Sequence, residues 1–123
     1  MYPHAEIIDR IIGCAIEVHQ HLGPAFHESV YQRALAHEMT LNQIQYQKEM
    51  PVTLTYKGQT VGQYRLDFLV ENEVVVELKA LEALADVHLS QMLSYLAATE
   101  KKVGLLINFG QTRLVDGIKR VVH

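Results

Sequence analysis

Tyr64-Arg65-Leu66-Asp67-Phe68-Leu69-Val70-Glu71-Asn72-Glu73-Val74-Val75-Val76-Glu77-Leu78-Lys79 is two apolar runs separated by three polar residues. Such a pattern predicts a β-hairpin. If Glu71-Asn72-Glu73 is a three-residue loop, Val70 opposes Val74. Three steps back along the first strand and three onward along the second then set Asp67 opposite Glu77. Opposed side chains share a sheet face, with Cβ atoms about 4.5–5.5 Å apart. Lys79, two residues beyond Glu77, points to that same face. A two-residue turn would send the two acids to opposite faces, so the loop length carries the argument. Facing carboxylates repel unless a proton or a cation lies between them. A hard divalent ion such as Mg²⁺ suits the place, because it takes one or two carboxylates, waters and phosphate oxygens. Lys79 cannot ligate while protonated, but it can hold a water or stabilise charge at a phosphorus. The plain alternative is a solvated hairpin side on which Lys79 offsets the acids. Val74-Val75-Val76 speaks against it, since that run marks a buried strand, where a lone carboxylate is costly.

Outward from the hairpin the elements follow by period. Val52, Leu54 and Tyr56 alternate with Thr53 and Thr55, and Lys57-Gly58-Gln59 reads as a turn. The strand over 60–70 carries Tyr64, Leu66, Phe68 and Val70 on one predicted face. Upstream, Ile8, Ile11, Ile12, Ala15 and Val18 recur at helical spacing over 5–20. His21-Leu22-Gly23-Pro24 breaks that helix, and a second is predicted over 26–39 with Val30, Ala34 and Leu35 as its core stripe. Downstream comes a helix over 84–99, then the apolar run 103–109, a strand covered on both faces. Residues 113–122 fit a strand or a short helix equally. The expected fold is α/β: a mixed sheet flanked by helices in the order α-α-β-β-β-α-β, as one domain over 1–123.

Composition bounds the rest. Apolar residues make up 49% and charged residues 20%, which fits a globular domain rather than a disordered chain. The lone cysteine, Cys14, sits among Ile11, Ile12, Ala15 and Ile16 and reads as a packing residue in a reducing compartment. The start MYPHAEIIDR shows no basic flank before a long apolar run, and no stretch is long enough to span a bilayer. The expectation is a cytoplasmic protein away from membranes. The formal net charge of −3 gives little attraction for a polyanion. A nucleic-acid partner would therefore call for a local basic patch, a homo-oligomer or a partner protein.

Leu66-Asp67 followed by Glu77-Leu78-Lys79 resembles the signature of the PD-(D/E)XK nuclease superfamily. More closely, the chain resembles the GxxExxY family of small bacterial and archaeal proteins. That resemblance runs over about residues 11–122, through Gly23-Pro24-Ala25-Phe26-His27-Glu28-Ser29-Val30-Tyr31, Tyr64-Arg65-Leu66-Asp67 and Gly104-Leu105-Leu106-Ile107-Asn108-Phe109-Gly110. Leu66 replaces the proline of the superfamily name, and Ala25 stands where the first glycine of GxxExxY would fall. The resemblance implies a restriction-endonuclease-like core that hydrolyses phosphodiesters, in DNA, with Mg²⁺ or Mn²⁺. It implies Asp67, Glu77 and the Leu78 carbonyl as metal ligands, Lys79 beside the attacking water, and Glu28 as a helix-borne acid at the metal. Gln91 and Tyr95 resemble the QxxxY motif of the RecB-like exonuclease branch, which implies contacts to substrate. At helical spacing His88, Gln91 and Tyr95 share one side, leaving Leu89, Met92, Leu93 and Leu96 to pack. Two rivals stand beside this reading: a catalytically silent module of the same fold that binds or assembles with nucleic-acid machinery, and a nuclease acting on RNA or a nucleotide-like small substrate.

Overall fold

A computed structural model describes residues 4–123. Met1 to Pro3, the beginning of the stretch read for a leader, lie outside the described residues. Helices α1 (Ala5–Leu22) and α2 (Glu28–Leu41) come first, then strands β1 (Tyr46–Tyr56), β2 (Gln59–Val70) and β3 (Val74–Lys79). Helix α3 (Asp86–Thr99), strand β4 (Val103–Asn108), a 3₁₀ turn (Leu114–Gly117) and strand β5 (Ile118–Val122) complete the chain. The sheet order is β1-β2-β3-β4-β5. Only β3 and β4 run parallel, with α3 as the crossover between them; the other pairs are antiparallel. This is the expected mixed sheet flanked by helices. The undecided stretch 113–122 resolves into the 3₁₀ turn and an edge strand.

One sheet face packs on α1 and α2. Ile8, Ile11, Ala15 and Val18 of α1 and Tyr31, Leu35 and Met39 of α2 close over Phe68, Val70, Val74, Val76, Leu105 and Ile107. The α2 stripe is rotated from the predicted one. Tyr31, Leu35, Ala36 and Met39 are buried, whereas Val30 and Ala34 lie half-buried at its margin. The rotation follows from Tyr31, whose ring stacks on Phe109 at 4.5 Å and takes the central place. The Tyr31 hydroxyl also donates to the Gly23 carbonyl and accepts the Phe26 N–H at 3.2 Å, fixing the loop into α2. Positive φ in that loop falls on Gly23, at 74°, so Ala25 meets no conformational bar.

The other face packs on α3, with Met92, Tyr95 and Leu96 against Val52, Leu66, Leu69, Val75, Leu106 and Val121. Leu66 thus faces α3 while Phe68 and Val70 face α1 and α2, which corrects the single predicted face for Tyr64, Leu66, Phe68 and Val70. The cause lies opposite Asp67. The β1–β2 register runs through Lys48↔Phe68 and Met50↔Leu66 but skips the pair between them, Glu49 and Asp67. Glu49 there has φ 53°, a left-handed conformation that breaks the pleat and turns both strands over together. Asp67 sits on that turning point.

Candidate functional site

The hairpin register fixes the two acids. Observed partners Phe68↔Val76, Leu69↔Val75 and Val70↔Val74 carry the offset of a three-residue loop. Glu71 and Asn72 both have positive φ, and the Glu73 N–H donates to the Val70 carbonyl at 3.0 Å, closing the turn. Beyond Phe68↔Val76 the ladder stops, because the kink carries β2 away from β3. Two side chains take over. The Leu78 N–H donates to Asp67 Oδ2 at 2.7 Å, and the Asp67 N–H donates to Glu77 Oε1 at 3.1 Å. Each carboxylate thus holds backbone near its partner. An extended residue turns its N–H and C=O to one side, so the Leu78 carbonyl faces the same gap.

Charge and burial make this pair unusual. Glu77 is one of three buried polar or charged residues among those described, and Asp67 is half-buried. Burial first, then the Asp67 charge, pushes the Glu77 carboxyl up to about 8 from an ordinary 4.5. Burial also raises Asp67, opposed by the hydrogen bond from Leu78. Lys79 lowers Asp67, Glu77 and Glu28 alike, so its ammonium lies within electrostatic reach of all three acids. Glu28 opens α2 and is exposed, yet partial burial and the Asp67 charge raise its carboxyl. Free of cations, the raised Glu77 carboxyl favours keeping a proton in the pair.

From α3, Tyr95 reaches the same place. It is 7% exposed, and burial, Glu77, Tyr64 and Asp67 together push its phenol up to about 12. Tyr95 therefore belongs to the packed side of α3 with Met92 and Leu96, while Leu93, expected to pack, is 41% exposed. The helix is rolled from the predicted orientation because Tyr95 fills the space between α3 and the β1–β2 hairpin. Gln91 is half-buried one turn earlier and makes no hydrogen bond to the acids among the described residues. His88 serves the helix start, its Nδ1 accepting the Ala85 N–H at 2.8 Å.

Three neighbours escaped the sequence reading. Gln32 Nε2 donates to Asp67 Oδ1 at 3.3 Å; it follows Glu28 by one helical turn, a spacing that could have revealed it. Glu49 adds a charge that raises Asp67, but no local signal announces its left-handed backbone. Asn108 is fully buried, and a lone amide inside an apolar run was a readable sign. Its Oδ1 accepts the N–H groups of Leu81 and Gly110 at 2.9 and 3.1 Å, and its Nδ2 donates to the Leu81 carbonyl at 3.0 Å. With the Phe109 N–H donating to the Lys79 carbonyl at 2.8 Å, these bonds anchor the segment that leaves β3 just after the site.

No group of three or more His, Cys, Asp or Glu side chains forms a ready metal cage among the described residues. The donor set still fits a magnesium-like ion. Two carboxylates, each with oxygen lone pairs left after its backbone bond, and a carbonyl on the same gap match an ion that keeps several waters.

The family model described as the PD-(D/E)XK nuclease superfamily matches the chain over residues 5–121. No curated protein and no solved structure matches it.

Proposed function

The chain belongs to the PD-(D/E)XK nuclease superfamily, and from that membership we propose that it is a divalent-metal-dependent nuclease hydrolysing phosphodiester bonds in DNA. One observation carries the reading: Asp67 and Glu77, locked by reciprocal backbone bonds at the end of β3, repel each other in a dry setting beside Lys79. Such a pair is stabilised by a cation. Within the superfamily we take the chain for a member of the GxxExxY family, on its Gly23–Tyr31 loop and helix start.

Asp67, Glu77 and the Leu78 carbonyl would hold Mg²⁺ or Mn²⁺, with Glu28 reaching it directly or through water. The ion supplies charge neutralisation at the phosphate and a more acidic water. Lys79 donates hydrogen bonds to the attacking water or to a non-bridging oxygen and offsets the growing negative charge. Gln32 holds one Asp67 oxygen and so sets the carboxylate's angle. Tyr95, its phenol neutral at ordinary pH, excludes water behind Glu77 and can donate to substrate; Gln91 completes that side. Purified protein should cut at least one of linear, circular or single-stranded DNA when Mg²⁺ is present and none when it is chelated. Cleavage of RNA alone would correct the substrate. Cleavage of nothing would favour a silent binding module, which the net charge of −3 also suits.

A further inference from the structure

Three residues before Asp67, β2 places a large ring in solvent. Tyr64 is 45% exposed, whereas its cross-strand partner Val52 is 3% exposed. The Tyr64 ring lies 5.8 Å from the Tyr95 ring, tilted by 49°, and its Cε2 edge runs past Gly62. Its hydroxyl makes no hydrogen bond among the described residues. One side of the ring is thus propped by a buried tyrosine that senses Glu77 and Asp67, while nearly half of Tyr64 stays open to solvent. At this point β2 has left β3, so its outer edge is open. An open hollow of about 460 Å³, lined by Pro51, Gln63, Tyr64 and Arg65, adjoins it. Arg65 is exposed there and supplies a cation for a polyanion.

We infer that Tyr64 is a stacking platform for an unpaired base one or two nucleotides from the cleaved phosphate, so that the site takes single-stranded or frayed nucleic acid in preference to intact duplex. Three strand residues span about 10 Å, which matches that separation. A base can lie on this ring only after leaving its helical stack, because a duplex presents base edges in its grooves and phosphates on its outside. Aromatic stacking tolerates any base, so the ring selects strandedness rather than sequence. The inference rests on the nuclease reading for its substrate class.

The test is fluorescence anisotropy with a labelled single-stranded oligonucleotide and the same strand in duplex, in Ca²⁺, for wild type, Tyr64→Phe, Tyr64→Leu and Tyr64→Ala. Wild type should bind the single strand more tightly than the duplex. Tyr64→Phe should keep that preference, while Tyr64→Leu and Tyr64→Ala should weaken single-strand binding about ten-fold or more and leave the duplex nearly unchanged. Tyr64→Leu preserves apolar cover over Tyr95, so it reports on stacking even if Tyr64→Ala unfolds. Equal single-strand binding by wild type and Tyr64→Leu overturns the inference, as does equal loss with Tyr64→Phe or a wild type that prefers duplex. Absence of binding to either form also overturns it. In that event, the Mn²⁺-dependent melting shift of wild type against Asp67→Asn shows separately whether the metal-site reading survives.

Discussion

Burial and the neighbouring Asp67 charge favour the protonated form of Glu77, because two close charges away from water are costly. Glu77 has its carboxyl raised from 4.5 to about 8 on folding, so its neutral form is the one the fold favours. The sign follows. That contribution is whole below about pH 4.5 and is lost as pH rises through 8. Metal-free protein should melt at progressively lower temperature from pH 5 to 8, and Glu77→Gln should flatten this slope. A slope unchanged in the variant would remove Glu77 as its source. Mn²⁺ or Mg²⁺ should raise the melting point of wild type, more at pH 8 than at pH 6, because the ion competes with the Glu77 proton. Asp67→Asn should blunt that response and can raise metal-free stability by relieving repulsion. Equal metal responses would take Asp67 out of the site. The nearness of Asp67 to Glu77 was legible because loop length sets the offset of the hairpin, although the pleat breaks at Asp67 and two side-chain-to-backbone bonds replace the expected opposed pair. Glu49 was not: its φ of 53° marks the break in the pleat, and no residue type signals it.

Among the elements, β4 and its Asn108 anchor the segment that leaves β3 just after Lys79. Asn108 makes three hydrogen bonds to Leu81 and Gly110 there. A Cβ added at Gly110 would lie 2.1 Å from the Leu81 carbonyl oxygen, so the two backbones touch. Asn108→Ala would orphan two N–H groups and a carbonyl, each costing about 1–3 kcal/mol if it stays dry. Urea unfolding should therefore show a loss on the order of 3 kcal/mol. A loss within about 0.5 kcal/mol, the usual range for a surface change, would show that the amide is no clamp. Helices, the hairpin and β4 could be read from periodicity and turn residues. The first half of β1 could not, since Gln47, Lys48 and Glu49 break the alternation and Pro51 argues against a strand. The structure admits Pro51 because β1 is an edge strand, where a missing N–H costs little. The roll of α3 also escaped, because spacing groups residues on a face without saying that Tyr95 fills an inter-element gap.

At the scale of the molecule, charge and size shape what the site needs. With a net charge of −3, one copy attracts a polyanion poorly. We expect a dimer, or an assembly formed on nucleic acid, visible by light scattering. Monomer alone, combined with tight binding that ignores salt, would contradict this. Nothing in one chain's sequence identifies such a partner, since complementarity lies in the pairing of two surfaces. The fold itself was legible at this scale because strands that alternate, a buried run and one crossover helix leave few arrangements of a mixed sheet. The most direct test of the account is the Mg²⁺-dependent turnover of Lys79→Ala against wild type, on whichever nucleic acid wild type cuts. The account predicts a fall of two to three orders of magnitude, roughly what a preorganised donor at developing charge is worth, with the metal-induced melting shift kept. Cleavage by Lys79→Ala at the wild-type rate would contradict it.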